Sequence, residues 1–170
     1  MSSLTGDSVP STKTEKADVS LRVEDVMITE VITIDENASV KDAANIMNKY
    51  EIGSLIAVRK GKAIGIITER DLLKRVIVDA KNAKKTKVSE AMSSPLEVIA
   101  AGTDLEEAIR LMFQKKIKKL PVVDKRRLIG LVSLTDIARC QPALMKILKT
   151  FAAAQDTPKS MKKVLDYYIV

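Results

Sequence analysis

The chain has 170 residues, of which 46% are hydrophobic and 3% aromatic, and its formal net charge is +7. Such a chain can bury an aliphatic core as one domain or as two small units that share an interface. Histidine is absent, which excludes Ser-His-Asp and Cys-His nucleophile systems and any imidazole metal site. The single cysteine, Cys140, allows no internal disulfide, so we expect a reducing, cytoplasmic environment.

Both ends of the chain differ in composition from its centre. Residues 1–20 are polar, lack an apolar signal core and have the composition of a disordered tail. Residues 141–170 carry apolar residues at helical spacing, which predicts a helical extension that packs on the parent domain or contacts a dimer mate or an unidentified protein partner. No apolar run reaches the roughly 18 residues that a membrane helix needs, so we expect a soluble protein without a membrane partner.

The centre of the chain repeats itself at a constant offset of 65 residues. Gly65 maps onto Gly130 and Asp71 onto Asp136, and further pairs keep the same spacing, among them Met27/Met92, Ala43/Ala108, Met47/Met112 and Thr68/Ser133. A fixed offset indicates one supersecondary unit used twice, so any binding site should also come in pairs. We therefore divide the centre into repeat 1 (residues 21–80), a basic connector (81–87) and repeat 2 (88–140).

Each repeat is predicted to begin with a strand and a helix. The β-branched residues 31–34 and their counterparts 96–99 favour a short strand. Apolar residues then recur on one helical face, at 40, 43, 44, 46 and 47 and at 105, 108, 109, 111 and 112. Both helices follow sequences of the Ser/Thr-x-x-acid capping form, residues 39–42 and 103–106.

A hairpin and a second helix complete each predicted repeat. The hairpin strands are residues 54–59 with 63–68 and residues 120–124 with 128–133, and the last strand runs directly into a helix near Glu69 or Leu134. The fold class is therefore α/β, in the α+β sense, with two β-α-β-β-α repeats packed by pseudo-two-fold symmetry. A single repeat of this size is marginal alone, so we expect the pair to be the folding unit.

Two stretches at the end of each hairpin carry a family resemblance. These are Gly65-Ile-Ile-Thr-Glu-Arg-Asp71 with Gly130-Leu-Val-Ser-Leu-Thr-Asp136, and Ile52-Gly-Ser-Leu-Ile56 with Ile117-Lys-Lys-Leu-Pro-Val122. They resemble the signature of cystathionine-β-synthase (CBS) domains, and the likeness covers about residues 23–139. The whole is similar to a stand-alone tandem CBS pair, or Bateman module. This resemblance implies a regulatory sensor of adenosyl ligands with two quasi-equivalent clefts, which associates into a disc-like homodimer.

The resemblance also implies which residues bind the ligand. In the family, the motif aspartate binds the ribose hydroxyls and the Thr or Ser contacts a ribose or phosphate oxygen, which implies these roles for Asp71 with Thr68 and for Asp136 with Ser133. An ionised carboxylate has two acceptor oxygens and suits a vicinal diol. The other implied binding residues are Thr33, Ile34, Gly53, Ser54, Leu55, Arg70, Ile99, Lys118, Lys119, Leu120, Pro121 and Thr135.

Spacing alone leaves another explanation open for the motif. Thr68 and Asp71 also have the form of a capping box, in which the hydroxyl and the carboxylate satisfy free backbone donors at a helix start without any ligand. A helix N-terminus beside a cleft is also a favourable place for an anion, so both roles are compatible.

Charge near the motif favours adenine nucleotides as the regulatory ligand. Arg70, Lys118, Lys119 and Arg139 would neutralise phosphate oxygens, which favours AMP, ADP or ATP over the cationic S-adenosylmethionine, the further alternative. Thr135 stands where repeat 1 has Arg70, so the two sites should differ in phosphate binding.

Nucleic-acid binding and enzyme activity are the two other function classes, and the sequence favours both less than a sensor. Basic clusters at residues 81–87, 115–119 and 125–127 allow nucleic-acid binding, although the chain lacks a recognition motif and has few aromatic residues. Neither a Walker loop nor a dinucleotide fingerprint is present, so we expect no enzyme activity, no catalytic cofactor and no metal.

Overall fold

The computed structural model describes residues 21–140 and Ala153. The predicted disordered tail and, apart from Ala153, the predicted helical extension lie outside the described residues. Within this part of the chain, no helix has the length and apolar character needed to cross a membrane.

The two repeats contain equivalent elements, which confirms the mixed α+β fold class. Repeat 1 has a 3₁₀ turn Val23–Asp25, β1 Thr33–Asp35, α1 Val40–Tyr50, β2 Ser54–Arg59, β3 Lys62–Thr68 and α2 Glu69–Leu72, which continues as a π-helical turn Leu73–Ile77. Repeat 2 has α3 Val88–Ala91, β4 Ile99–Ala100, α4 Leu105–Lys115, β5 Lys119–Asp124, β6 Arg127–Ser133 and α5 Leu134–Cys140.

The two sheets match each other position by position. In the orders β1-β2-β3 and β4-β5-β6, the first pair of strands is parallel and the second antiparallel. Ile34 lies opposite Ala57 and Ile99 opposite Val122, and each hairpin has an irregularity directly after the second of these partners. The offset seen in the sequence is therefore also a structural equivalence.

The segment that leads into each repeat packs on the other repeat. We call residues 21–28 and 86–93 the approach segments. Val23 and Val26 belong to the hydrophobic core of repeat 2, whereas Val88 and Ala91 belong to the core of repeat 1. Isolated bridges pair Ile28 with Leu131 and Ser93 with Ile66, so each approach segment also joins the far strand of the opposite hairpin. Neither core is complete without a segment from the other half.

The motif glycines allow this crossed packing. A Cβ at Gly65 would lie 2.6 Å from Met92 Sδ and 2.9 Å from the Ser93 carbonyl oxygen. A Cβ at Gly130 would meet Met27 Sδ and the Ile28 carbonyl oxygen at the same two distances, 2.6 and 2.9 Å. The glycines are therefore required for the close approach of one backbone to another, independently of any ligand.

The bounds of the first strands differ from the prediction. They were expected at residues 31–34 and 96–99, but they are Thr33–Asp35 and Ile99–Ala100. The Ile32 carbonyl still accepts from the Ile56 amide of β2 at 3.2 Å, whereas Ile28 and Ser93, farther upstream, pair with the opposite repeat. The second helix of repeat 1 was expected from Glu69, and it is α-helical only as far as Leu72.

The starts of the two long helices show one confirmed cap and one that was wrong. The Asp42 amide donates to Ser39 Oγ at 3.1 Å, as the capping sequence predicted. The cap predicted at Thr103 is not formed, since the N-cap position of α4 is Asp104. Backbone of the approach segments supplies acceptors instead: the Leu105 amide donates to the Leu21 carbonyl at 3.0 Å, and the equivalent Val40 amide to the Thr86 carbonyl at 2.9 Å.

Candidate functional site

The motif of repeat 1 forms a helix cap at the start of α2. The Asp71 amide donates to Thr68 Oγ1 at 3.2 Å, while the amide and hydroxyl of Thr68 donate to Asp71 Oδ2 at 2.9 and 2.7 Å. In repeat 2 the Asp136 amide likewise donates to Ser133 Oγ at 3.1 Å, and the Ser133 hydroxyl donates to Asp136 Oδ2. The capping explanation of the spacing is confirmed, and sugar binding by the two aspartates stays a prediction.

Arg75 gives the two motifs different surroundings. Its Nη1 donates to the backbone carbonyls of residues 91 and 92 at 2.8 and 2.6 Å, and its Nη2 lies 3.5 Å from Asp71 Oδ1. Both oxygens of Asp71 are therefore engaged, one by the cap and one by the guanidinium. Cys140 stands at the position equivalent to Arg75, so repeat 2 has no guanidinium at that position.

Lys119 lies on the pseudo-two-fold axis between the repeats. Its Nζ donates to Ser54 Oγ at 2.9 Å, and the two residues are 65 positions apart, so they are equivalent to each other. Equivalent groups touch only where the axis passes, which places this hydrogen bond at the seam of the two halves. Burial lowers the pKa of the Lys119 ammonium, while Asp136 and Glu69 oppose that shift and Lys118 adds to it. Lys119 therefore has a carboxylate of each motif region as a neighbour.

A cavity of about 360 Å³ lies at this seam on the side of Asp136. Both repeats contribute to its walls, and it includes six residues of the predicted site: Gly53, Ser54, Lys119, Ser133, Thr135 and Asp136. Its size lies within the range of about 300–1,000 Å³ that is typical of small-molecule sites. The cavity thus places the motif of repeat 2 against the strand start of repeat 1, as a shared cleft requires.

The apolar walls of the cavity were missed by the sequence analysis. They include Ile32, Ile52 and Ile56 from repeat 1 and Leu131 from repeat 2, which offer a surface suited to a purine face. They meet because the approach segment pairs with β6 through Ile28. No local sequence pattern predicts that the approach segment pairs with the opposite repeat. The constant repeat offset is the one signal that indicates contacts between equivalent positions.

The remaining predicted residues lie elsewhere. The side chains of Ile34, Leu55, Ile99 and Leu120 are in the two hydrophobic cores and at most 7% exposed, so only their backbone is available to a ligand. Pro121 is buried in β5, whereas Thr33, Arg70 and Lys118 are exposed. Thr68 and Asp71 cap α2 at the positions equivalent to Ser133 and Asp136, and a second cleft beside them stays a prediction.

A larger cavity of about 680 Å³ lies along β4 and α4. It is lined by repeat 2 alone, including Val98, Thr103, Glu107 and Gln114, and contains none of the motif residues. We therefore assign the site to the smaller cavity, where both repeats and the motif meet. Within residues 21–140 no group of three or more Cys, Asp or Glu side chains could hold a metal ion.

Comparison with known proteins decides the family. The CBS domain model matches residues 23–78 and 88–142. This chain belongs to the CBS domain family. The CBS domain-containing protein YhcV of Bacillus subtilis (strain 168) is 36% identical over 116 residues, which are 68% of this chain and 82% of YhcV.

Solved structures of CBS proteins have the same fold. A protein with CBS domains from Burkholderia ambifaria MC40-6 aligns with a TM-score of 0.65 at 31% identity, over 68% of this chain and 85% of that one. The CBS domain pair of protein MJ0100, solved in complex with 5′-methylthioadenosine and S-adenosyl-L-methionine, aligns with a TM-score of 0.65 at 30% identity, over 72% and 97%. The CBS pair predicted from the motifs is thereby confirmed.

Proposed function

We propose that this CBS pair is a non-catalytic regulatory module that binds adenosyl ligands, including AMP, ADP or ATP, in the clefts between its repeats. The observation that carries the proposal is the cavity of about 360 Å³ that brings Asp136, Ser54 and Lys119 together across the seam. The adenosyl ligands in the solved MJ0100 pair support this ligand class. We place the protein in the cytoplasm as part of the same proposal.

The contacts suggest how each part of a ligand is held. Asp136 accepts hydrogen bonds from the two ribose hydroxyls, and the purine packs against the apolar side chains of Ile52 and Ile56. Its Oδ2 already accepts from Ser133, which fixes the carboxylate at the cavity edge. Lys119 meets a negatively charged group, because it is the cation placed at the seam.

Regulation follows from the origin of the cavity walls. A ligand that contacts both repeats binds best at one relative placement of the halves, so it shifts the population toward that state. The Ser54–Lys119 hydrogen bond lies on the axis and is the contact that such a shift would alter first. The homodimer implied by the family resemblance would pass the change to a partner, and it stays a prediction.

Calorimetry and thermal unfolding of the full chain test this function. AMP, ADP, ATP, NADH and S-adenosylmethionine are titrated against the wild type, Asp71→Asn and Asp136→Asn. A ligand at about 100 times its Kd should stabilise the wild-type fold by about 2.7 kcal/mol. Asparagine keeps a side-chain oxygen that can accept from Thr68 or Ser133, so the caps persist while the carboxylate charge is removed.

The outcome also separates the sensor from a nucleic-acid-binding protein. Loss of ligand binding in either aspartate variant supports the proposal. Salt-sensitive binding of RNA or DNA that both variants retain, together with no response to any adenosyl compound, would contradict it.

A further inference from the structure

The charged groups around the Asp136 cavity are poorly matched to a polyphosphate. Three carboxylates line it, Glu30, Glu51 and Asp136, against two cations, Lys119 and Arg139. Phosphate oxygens at the cavity edge would meet Glu30 and Glu51 as like charges. A neutral or cationic group at that place would meet them favourably.

The equivalent positions of the other cleft have the reverse balance. At the positions 65 residues away in the other repeat, Lys116 replaces Glu51, Lys118 replaces Gly53 and Arg70 replaces Thr135. Taken together, the charged residues at the equivalent positions are five cations and two carboxylates: Arg70, Lys74, Lys116, Lys118 and Lys119, with Asp71 and Glu97. Asp71 is paired with Arg75 at 3.5 Å and Glu97 with Lys115 at 2.9 Å, and these ion pairs weaken the repulsion of an anion by both carboxylates.

The equivalence of these positions is structural. Glu51 follows α1 and Lys116 follows α4, both as left-handed C-cap residues, with φ of 53° and 56°. The flanking strands β2 and β5 have the same register with their partners. Lys119 lines the Asp136 cavity and also has Glu69, from the motif region of repeat 1, as a charged neighbour, so the difference in charge between the two sites comes from the other residues.

We propose that the two clefts bind adenosyl compounds of different charge: a phosphate-bearing adenine nucleotide at the Asp71 cleft, and an adenosyl compound without phosphate, neutral or cationic, in the Asp136 cavity. This inference rests on the proposed function and adds a ligand class for each site. Lys118, Lys119 and Arg139 alone favour adenine nucleotides over S-adenosylmethionine, and this preference is reversed for the Asp136 cavity because Glu30 and Glu51 also line it. The pair then reports on two classes of metabolite at once.

A reciprocal charge exchange tests the inference in the full chain. Glu51→Lys and Lys116→Glu each introduce the residue that the chain already carries at the equivalent position and backbone conformation, and both sites are exposed, so folding should be preserved. ATP and S-adenosylmethionine are titrated by calorimetry, with adenosine as the uncharged reference. Circular dichroism confirms that each variant is folded.

The expected results are specific to each cleft. ATP binding to the wild type should be lost in Asp71→Asn and kept in Asp136→Asn, and S-adenosylmethionine should show the opposite pattern. Glu51→Lys should weaken S-adenosylmethionine about tenfold, and Lys116→Glu should weaken ATP about tenfold, from a two-unit charge change near the ligand. Adenosine should change little in either exchange.

Two results would overturn the inference, and they can be told apart. If ATP and S-adenosylmethionine compete for one site, or if the exchanges leave both affinities unchanged, the assignment by charge is wrong while the sensor function stands. If no adenosyl compound binds the wild type, the proposed function fails as well.

Discussion

Alanine at either motif glycine should loosen the contact between the repeats. A Cβ at Gly65 or Gly130 would lie 2.6 Å from a methionine sulfur and 2.9 Å from a backbone carbonyl oxygen of the opposite approach segment. The sulfur can move with its side chain, but the carbonyl oxygens of Ser93 and Ile28 belong to the bridges that join the halves. Relief of the overlap therefore requires a backbone shift at the seam.

Each alanine substitution should lower the free energy of unfolding. Overpacking of this kind typically destabilises by about 1–3 kcal/mol. For a chain of this length, that corresponds to a fall in Tm of about 2–12 °C. The two alanine variants should lose similar amounts, because the duplicated structure gives both glycines the same two contact distances.

Urea and thermal unfolding measure this loss, with Gly102→Ala as the matched control. A Cβ at Gly102 would have only Arg22 Nη1 nearby, at 4.0 Å, so that variant should be neutral or slightly more stable than the wild type. Equal stability of all three alanine variants would refute the claim that the crossed segments press on the motif glycines.

Three further predictions concern single side chains. Arg75→Ala should lower the free energy of unfolding in urea by about 1–3 kcal/mol, since it removes charge-assisted hydrogen bonds to two backbone carbonyls. Arg75→Lys should restore only part of this stability, because one ammonium cannot reach both carbonyls and Asp71 together. Full recovery of stability by lysine would argue against this. The hydrogen bond from the Arg59 guanidinium lowers the pKa of the Glu36 carboxyl in the folded protein. The stability that this ion pair contributes is therefore complete above the unfolded pKa of about 4.3 and is lost as the pH falls through the lowered folded pKa. Glu36→Gln should therefore lose less stability than the wild type on acidification, and parallel urea midpoints from pH 6 to 2 would contradict this. Ile77 is 66% exposed, so the predicted homodimer would be stabilised by covering this side chain. Ile77→Glu should therefore give a monomer mass in light scattering. An unchanged dimer mass would place the dimer contact elsewhere.

Much of the fold could be predicted because the same strand and helix signals occur in both repeats. The hairpin predicted at residues 54–59 and 63–68 and the helical spacing after Ser39 are local signals, and the structure has strands at Ser54–Arg59 and Lys62–Thr68 and a helix at Val40–Tyr50. The repeat offset correctly predicted equivalent sheets. Bounds were less certain where a segment pairs outside its own repeat, as before β1 and β4.

The site could be predicted only in part. Asp136, Ser133 and Lys119 were found from the motif, and the structure brings them to one cavity. Glu30 and Glu51 carry no motif, because a carboxylate on a loop or at a helix end is ordinary in sequence. Their proximity to Asp136 depends on how the first repeat lies against the second.

The sequence alone determined that this protein is a duplicated CBS pair whose motif aspartates recur 65 residues apart. Periodicity, capping and turn chemistry act over a few residues, so they can be read from the chain directly. Only the tertiary structure decided that the approach segments cross, that Ser54 and Lys119 meet on the axis, and that carboxylates surround one cleft. These features arise from packing between residues far apart in the chain, and such contacts are set by the fit of complete surfaces, which no local pattern encodes.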